Sequence, residues 1–187
     1  IFSSKPYIIS EHSSIYLKEQ GTFQRYNPIK KFLIRFVANR AKAIIAVSEY
    51  LKSSLEQNGI KNKIYVVPNI INIGEEREST KPHIKKNILH VSLLNDRVKN
   101  ISGILESLRE ISLRRQDFQL DILGDGADRA ILEEKAREYG LLGKTVFFHG
   151  MIPPSEVGDF FSKSDFLITN SNYETFSVST AESLSHG

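Results

Sequence analysis

Short apolar runs alternate with helix-like segments along the whole of this 187-residue chain, and that alternation constrains the fold more than any other feature. Seven runs are short enough and apolar enough to form buried strands. They are residues 6–10, 43–47, 63–67, 87–91, 118–123, 145–148 and 166–168. Helix-like segments between such runs are typical of α/β domains with parallel sheets. We therefore predict an α/β fold with three strands in the first half of the chain and four in the second.

Local signals mark the ends of the predicted helices. Asn27 and Pro28 predict a helix start, because proline is well tolerated in the first turn of a helix. Ser48 is the predicted N-cap of the next helix, which the pair Asn58-Gly59 should end. In the second half, one helix is expected to have four apolar residues on one side. They are Ile101, Leu105, Leu108 and Ile111.

A polar run without periodicity interrupts the alternation at residues 72–82 and contains both glycine and proline. Such a run is typical of a linker. We therefore predict two α/β domains, one at residues 1–75 and one at 85–187, joined by a linker at 76–84. Each domain is expected to be incomplete at its end of the chain.

Composition argues against several classes of protein. A formal net charge of +3 is too small to favour a nucleic-acid partner. The chain has no cysteine, so it can form no disulfide, and this favours a reducing compartment. No apolar run approaches the roughly 20 residues that a membrane-spanning helix needs. We expect a soluble, cytoplasmic protein.

The last stretch of the chain places two carboxylates, Glu174 and Glu182, on either side of a predicted junction between a strand and a helix. If the helix starts near Ser177, Glu182 lies on the same inward stripe as Val178 and Ala181. Glu174 then lies in the loop before the first helical turn. An inward carboxylate either pairs with another side chain of the protein or accepts hydroxyls or charge from a ligand. Both interpretations are open at this point.

Residues that follow the strands of the second half should gather in one crevice, because the carboxyl ends of parallel strands meet at the same edge of a sheet. Two cations beside helix starts suit a diphosphate, and glycine turns let a base or a phosphate approach closely. Carboxylates accept hydrogen bonds from sugar hydroxyls. Each signal is weak alone, but together they predict a nucleotide-sugar pocket. The residues are Arg97, Lys99, Gly124, Gly126, Gly150, Met151, Glu174 and Glu182.

Other chemistries have less support in the sequence. There is no P-loop, no Gly-x-Ser-x-Gly elbow and no HExxH motif. A pair of carboxylates could indicate a glycosidase. Glycosidases usually take the two groups from separate strands, whereas Glu182 is predicted on a helix.

Seven motifs, in order, resemble the retaining glycosyltransferases of family 4. These enzymes have the GT-B architecture, in which two Rossmann-like domains face each other across a donor-binding cleft. The resemblance extends over essentially the whole chain. The motifs are Ala46–Tyr50, Val67–Asn69, Ile88–Ser92, Lys99-Asn100, Ile122–Gly126, Val146–Gly150, and Tyr173–Gly187 with its two glutamates.

The resemblance implies roles for the predicted donor-binding residues. Glu182 would hold the ribose hydroxyls of the nucleotide, and Lys99 would contact the diphosphate. The turn Gly150-Met151 would contact the base. The amides around Phe176-Ser177 would face the sugar and the diphosphate.

One departure from the family concerns an arginine. The family usually has Gly-Arg-Leu where this chain has Ser92-Leu93-Leu94, so the expected partner of Lys99 is missing from its place. Arg97 is close enough in sequence to replace it. We include Arg97 among the predicted donor-binding residues.

The resemblance also implies catalytic roles for Glu174, near the donor sugar, and for His12, which would approach the reaction centre from the opposite domain. The reaction in this family needs neither a metal nor a cofactor. It is described as departure of the diphosphate on the face that the acceptor attacks. The main task of the enzyme is then to stabilise negative charge on the leaving group.

The function implied is transfer of a sugar from a nucleoside-diphosphate sugar to a glycan or lipid-linked acceptor, in bacterial cell-surface polysaccharide synthesis. Two alternatives stay open: a non-catalytic nucleotide-sugar-binding module, and a GT-B enzyme of another reaction, such as a sugar-nucleotide epimerase. Family members are roughly twice this length, beyond the usual size of one domain. We therefore expect a fragment with little transferase activity on its own.

A cationic segment in the first half suggests one more partner. Between Glu19 and Glu49 there is no acidic residue, and the predicted helix from Ile29 to Arg40 is both basic and amphipathic. This composition is typical of a helix that rests on an anionic membrane surface. The alternative is an ordinary solvated face. We expect peripheral contact with the inner face of the membrane.

Overall fold

A computed structural model describes residues 5–71 and 85–186, and these residues form two compact units. The first unit contains residues 5–70 together with 173–177, and the second contains the rest. The predicted linker at 76–84 lies outside the described residues. The predicted domain limits at 1–75 and 85–187 therefore stay predictions.

The first unit contains a parallel three-stranded sheet in the order β1-β2-β3. Its strands are β1 (Ile8–Glu11), β2 (Ala43–Ala46) and β3 (Ile64–Val66). Ile9, Ile44 and Ile64 lie side by side across the sheet. The three parallel strands predicted for the first half are thus confirmed.

Helices pack around this sheet. They are a 3-10 turn (Ser14–Tyr16), α1 (Thr22–Arg25), α2 (Pro28–Arg40) and α3 (Glu49–Gln57). Asn27 caps α2 by accepting a hydrogen bond from the amide of Lys30 at 2.8 Å, and Ser48 caps α3 through the amide of Leu51 at 3.1 Å. Gly59 follows α3 with a φ of 82°, a left-handed conformation that favours glycine. The helix start at Asn27-Pro28, the Ser48 cap and the stop at Asn58-Gly59 predicted from the sequence are confirmed.

Helix α2 is amphipathic in sequence but little buried in the structure. Ala38 is its one buried residue, whereas Ile29 and Phe32 are 72% and 63% exposed. Two of its cations are held by backbone carbonyls of the same unit: Lys31 donates to Gln24 and Arg35 to Asn58, each at 2.7 Å. The exposed face of α2 is therefore more apolar than the sequence suggested. No helix within the described ranges is long and apolar enough to cross a membrane.

The second unit contains a parallel four-stranded sheet in the order β6-β5-β4-β7. Its strands are β4 (Lys86–Val91), β5 (Phe118–Leu123), β6 (Val146–Gly150) and β7 (Phe166–Leu167). Its helices are α4 (Asp96–Lys99), α5 (Ile101–Ser112), α6 (Arg129–Glu138), α7 (Pro154–Lys163) and α8 (Val178–Leu184). Each predicted strand of the second half is confirmed.

The prediction of an inward stripe on α8 is wrong, and α5 buries only part of its apolar side. Ile111 is 41% exposed, because it lies in the last turn of α5 beside Lys86 and Phe118, where β4 and β5 begin and the sheet no longer covers it. No residue of α8 is buried, and Val178 is 37% exposed. Helix α8 lies against β7, a two-residue strand at the edge of the sheet, so only one side of it is covered. Glu182 is partly exposed rather than inward.

Candidate functional site

The strand order of the second sheet reverses between β4 and β7. From β4 the chain continues to β5 and then β6 on one side, and it returns to the other side of β4 to form β7. In open parallel sheets, ligands bind outside the carboxyl ends of the strands at such a reversal. The loops after β4 and β7, residues 92–95 and 168–172, therefore mark the first place to look for a site.

The loops after β4 and β5 are packed against each other so closely that two glycines are required. A Cβ at Gly124 would lie 1.9 Å from the carbonyl oxygen of Ser92, and a Cβ at Gly126 would lie 2.4 Å from that of Leu94. Leu94 also donates its amide to the carbonyl of Asp125 at 2.9 Å. The structure thus gives both glycines a packing role, and their contact with a donor stays a prediction.

The loop after β6 joins the same arrangement. The carbonyl of Gly150 accepts a hydrogen bond from the amide of Gly124 at 2.8 Å, and Gly150 itself has a φ of 75°. A Cβ on Gly150 would meet the guanidinium of Arg129 at 2.8 Å. Met151, predicted to contact the base, is 74% exposed.

The two predicted diphosphate-binding cations lie on the short helix α4. Arg97 is exposed and Lys99, its last residue, is partly exposed. Asn172 fixes this helix from the loop after β7: its amide donates to the carbonyl of Val98 at 2.8 Å and its side chain donates to that of Arg97 at 3.1 Å. Asn100 follows α4 in the left-handed conformation, with a φ of 48°. The loop after β7 therefore holds α4, which carries both cations, beside the reversal point.

His90 is a buried residue that the sequence analysis did not single out. It lies on β4, is 1% exposed, and its Nδ1 donates to the carbonyl of Ile168 at 2.9 Å. Nε2 can then accept from the hydroxyl of Ser92 at 2.8 Å. Burial, together with the nearby positive charge of Lys99, holds the pKa of His90 below its ordinary value of 6.5. His90 thus joins the first residues of the loops after β4 and β7.

Glu182 lines a pocket of about 370 Å³ within the second unit. The walls are mostly apolar and come from the end of β4, the start and middle of α7, and α8. They include Val91, Ile152, Pro154, Val157, Phe161 and His186. Within the described part of the chain, no group donates a hydrogen bond to the Glu182 carboxylate, and no cation pairs with it. The structure therefore shows no structural pairing for Glu182 among these residues, and its contact with a ligand stays a prediction.

The other predicted residues belong to the first unit. His12 directly follows β1, is exposed, and places its Nε2 3.0 Å from the hydroxyl of Ser10. Its carbonyl accepts a hydrogen bond from the Thr175 hydroxyl at 3.0 Å, which brings His12 close to the neighbours of Glu174. Glu174 and Ser177 are partly exposed.

Phe176 packs, with Tyr173, against the hydrophobic core of the first unit. The core that it joins contains Phe23, Ile44, Leu51 and Leu55. Residues 173–177 are thereby anchored by aromatic side chains. Any contact of the Phe176 amide with a donor stays a prediction.

The structure brings the predicted residues together in two groups. One group lies along the carboxyl edge of the second sheet or beside it on α8: Arg97, Lys99, Gly124, Gly126, Gly150, Met151 and Glu182. The other lies in the first unit: His12, Glu174, Phe176 and Ser177.

No three His, Asp or Glu side chains within residues 5–71 and 85–186 converge in an arrangement that could hold a metal ion. The expectation that the reaction needs no metal and no cofactor came from the resemblance. It stays a prediction.

Three solved structures with a similar fold are complexes that contain UDP. S. aureus TarM, in complex with fondaparinux, alpha-GlcNAc-glycerol and UDP, matches with a TM-score of 0.78 at 17% identity, over 96% of this chain and 35% of its own. The pneumococcal O-GlcNAc transferase GtfA, in complex with UDP and GlcNAc, matches with a TM-score of 0.75 at 17% identity, over 96% and 36%. Anabaena HepE, in complex with UDP and glucose, matches with a TM-score of 0.70 at 18% identity, over 89% of this chain and 46% of its own. The predicted GT-B type of α/β fold is confirmed.

Two curated relatives are similar in sequence. The alpha-monoglucosyldiacylglycerol synthase of Streptococcus pneumoniae is 27% identical over 171 residues, which are 84% of this chain and 38% of the relative. An uncharacterized glycosyltransferase of Methanocaldococcus jannaschii is 25% identical over 190 residues, which are 97% of this chain and 47% of the relative. The chain thus spans less than half the length of these relatives.

Family profiles cover nearly the whole sequence. The profile of Glycosyltransferase Family 4 matches residues 2–75. The profile of glycosyl transferases group 1 matches residues 72–187, which is more than half of the chain. The chain therefore belongs to the family of glycosyl transferases group 1.

Proposed function

We propose that this chain is the donor-binding part of a retaining glycosyltransferase. It would bind a nucleoside-diphosphate sugar and move the sugar to a glycan or lipid-linked acceptor, in cell-surface polysaccharide synthesis. The observation that carries the proposal is the position of Glu182: a carboxylate without a described partner lines a largely apolar pocket beside the carboxyl edge of the second sheet. Three structural neighbours are complexes with UDP, which makes UDP the first nucleotide to test.

The pocket suits the nucleoside half of such a donor. Its apolar walls can face a flat base, while the Glu182 carboxylate accepts hydrogen bonds from the two ribose hydroxyls. The diphosphate would lie toward α4, where Lys99 and Arg97 supply positive charge. These cations stabilise the charge that develops as the bond from the anomeric carbon to the diphosphate breaks.

The catalytic residues would act on the sugar. The acceptor oxygen bonds to the anomeric carbon on the face that the diphosphate leaves, and its proton passes to the departing phosphate oxygen. Glu174 and His12, both in the first unit, would position the sugar and the acceptor hydroxyl. This assignment rests on the resemblance.

Calorimetric titration tests the donor site. We expect the wild-type chain to bind at least one of UDP, GDP and ADP, and Glu182→Ala to weaken that binding by about 10- to 150-fold, because hydrogen bonds to a charged group contribute about 1.5–3 kcal/mol. Glu110→Ala, on the exposed surface of α5, is the matched control and should bind as wild type. Failure of the wild type to bind any of the three would overturn the donor-site assignment.

The two cations can be separated by the same titration. Loss of affinity in both Lys99→Ala and Arg97→Ala would support Arg97 as the replacement for the family arginine. Loss in Lys99→Ala alone would show that Arg97 is no substitute. Neither change should alter binding of the free nucleoside, which has no phosphate.

A non-catalytic nucleotide-sugar-binding module is the second candidate, and the absence of an arginine at residues 92–94 favours it. Both candidates predict nucleotide binding by this chain. They differ in whether the full-length protein transfers sugar from the donor that binds best. We expect the chain of 187 residues alone to show little transfer. Ready turnover at ordinary enzyme concentration would contradict that expectation.

The membrane contact proposed for the helix from Ile29 to Arg40 gains a sharper test from the structure. Its outward face carries Ile29 and Phe32, and the Arg40 guanidinium lies over the Phe36 ring at 5.1 Å. We expect the chain to sediment with vesicles that contain anionic lipid, and Phe32→Ser to reduce this. Ile131→Ser, which removes a 69% exposed isoleucine from α6, should leave sedimentation with these vesicles unchanged. Binding that ignores lipid charge would argue against the contact.

A further inference from the structure

His186 is the second polar residue of the α8 segment that lines the Glu182 pocket. It follows Glu182 by four residues, so the two side chains lie on the same side of the helical segment. No role for His186 follows from the sequence, but its contacts in the structure indicate one.

Two contacts fix the imidazole of His186. Its ring stacks on Phe161, with the centroids 5.2 Å apart and an angle of 26° between the planes. Its Nδ1 lies 2.8 Å from the backbone carbonyl oxygen of Glu182. Because a carbonyl oxygen can only accept, Nδ1 carries the hydrogen. In the neutral ring, Nε2 is then left with a lone pair and no hydrogen.

The space around Nε2 is kept open by a glycine. A Cβ on Gly158 would lie 3.4 Å from Nε2, so a larger side chain on α7 would close this side of the pocket. Among residues 85–186 no group donates a hydrogen bond to Nε2. The pocket therefore presents two groups that can only accept, the Glu182 carboxylate and the Nε2 lone pair, beside the Ser155 hydroxyl, which can donate or accept.

Two acceptors between apolar walls define the ligand by its chemistry. A phosphate would be repelled by the carboxylate and has no flat face for Ile152 and Val157. A nucleoside has both O–H and N–H donors and a flat base, and the pocket volume of about 370 Å³ is within the range of small-ligand sites. The pocket walls thus favour the nucleoside over the diphosphate or the sugar.

We infer that His186 is a specificity residue whose Nε2 accepts a hydrogen bond from the nucleoside half of the donor. This rests on the proposed function. Helix α8 and the two residues after it would then hold the nucleoside at two points, Glu182 and His186, while Phe161 keeps the imidazole plane in place. The donor group on the ligand is either a ribose hydroxyl or an N–H of the base.

Two substitutions by amide side chains test the roles of the two ring nitrogens separately. His186→Asn keeps a donor near Nδ1 for the Glu182 carbonyl but removes the acceptor at Nε2, whereas His186→Gln can place an acceptor near Nε2. With the nucleotide that the wild type binds best among UDP, GDP and ADP, we expect His186→Asn to bind about three- to tenfold more weakly. We expect His186→Gln to stay within about twofold of wild type.

Each outcome of this titration decides something. Wild-type binding with unchanged affinity in His186→Asn, or equal losses in both variants, would overturn the role of His186 and leave the proposed function intact. No binding by the wild type would overturn both. Repeating the comparison with the 2′-deoxy and the 3′-deoxy nucleotide identifies the ligand group: a deficit that disappears with either one points to that ribose hydroxyl, and one that persists with both points to the base. In ¹⁵N-labelled protein, nucleotide should shift the Nε2 resonance of His186 while Nδ1 changes little.

Discussion

The glycines after β5 allow steric conflict and backbone strain to be measured separately. Gly124 combines the two, since its φ is 123° and a Cβ would lie 1.9 Å from the carbonyl oxygen of Ser92. Gly126 has the conflict without a positive φ, with a Cβ 2.4 Å from the carbonyl oxygen of Leu94. Gly143 has the strain without the conflict: its φ is 72° and nothing lies within 4 Å of a Cβ. Gly143→Ala therefore measures the backbone strain, Gly126→Ala the steric conflict, and Gly124→Ala the sum of the two.

The expected magnitudes follow from these distances. Gly143→Ala should cost about 1–2 kcal/mol, the price of a left-handed conformation for a residue with a Cβ. Gly126→Ala should cost about 1–3 kcal/mol, because two backbone segments must separate. Gly124→Ala should cost about 3–5 kcal/mol, since it requires both a larger separation and the positive φ. That is a large part of the roughly 5–15 kcal/mol that stabilises an ordinary domain.

Amide hydrogen exchange of β4 and β5 is the appropriate assay, because it reports the opening free energy of the second unit alone. Bulk unfolding would mix the transitions of two units. We expect Gly124→Ala to lower this free energy most, Gly126→Ala less, and Gly143→Ala least. A cost for Gly124→Ala no greater than that of Gly143→Ala would refute this order, because the loops after β4 and β5 would then not be in close contact.

Three further predictions concern other polar residues. Asn58→Ala should lower the opening free energy of the first unit by about 1–3 kcal/mol in amide hydrogen exchange, because it removes the side-chain donor to the carbonyls of Tyr16 and Ser54, of which only that of Ser54 keeps the amide of residue 58 as a donor; a change below about 0.5 kcal/mol would contradict this. His90 has a lowered pKa in the fold, so the unfolded state binds more protons below pH 6.5, and the free energy of unfolding should fall as pH decreases from 6.5 toward the folded pKa. His90→Asn should flatten that part of the pH profile, and an unchanged profile would exclude His90 as its source. Asn172→Ala should weaken binding of the diphosphate but not of the free nucleoside, because it removes one of the two bonds by which Asn172 holds α4, the one to the Arg97 carbonyl; equal losses for both ligands would contradict a local effect.

Most of the fold could be predicted because its signals are local. Ser48 and Asn27 mark helix starts by hydrogen bonds to amides only three residues away, and the strands are visible as short apolar runs. Burial was harder to predict, because it depends on which side chains the rest of the molecule covers. Phe32 has the helical spacing of a core residue and is 63% exposed, and Glu182 lies on a helix that only an edge strand supports.

Roles that depend on distant partners could not be predicted from the sequence. His90 is important in the structure because Ile168, far away in the chain, places a carbonyl beside its ring. His186 gains its orientation from Phe161 on another helix. His90 lies in a predicted buried strand and His186 in the last motif, but neither pattern identifies the partner of the histidine. The glutamates and glycines were easier to find because they belong to motifs of recognisable spacing.

The backbone bonds among the loops at the carboxyl edge of the second sheet limit how a phosphate can be recognised there. The amides of Leu94, Gly124 and Asp128 already donate to carbonyls, and that of Gly126 donates to the Asp125 carboxylate. These four amides cannot also form a nest for an anion. At this edge, recognition of a diphosphate would then depend mainly on the cationic side chains of Arg97 and Lys99, whose attraction is screened by dissolved ions. Nucleotide affinity should therefore fall markedly with ionic strength, whereas nucleoside affinity should not.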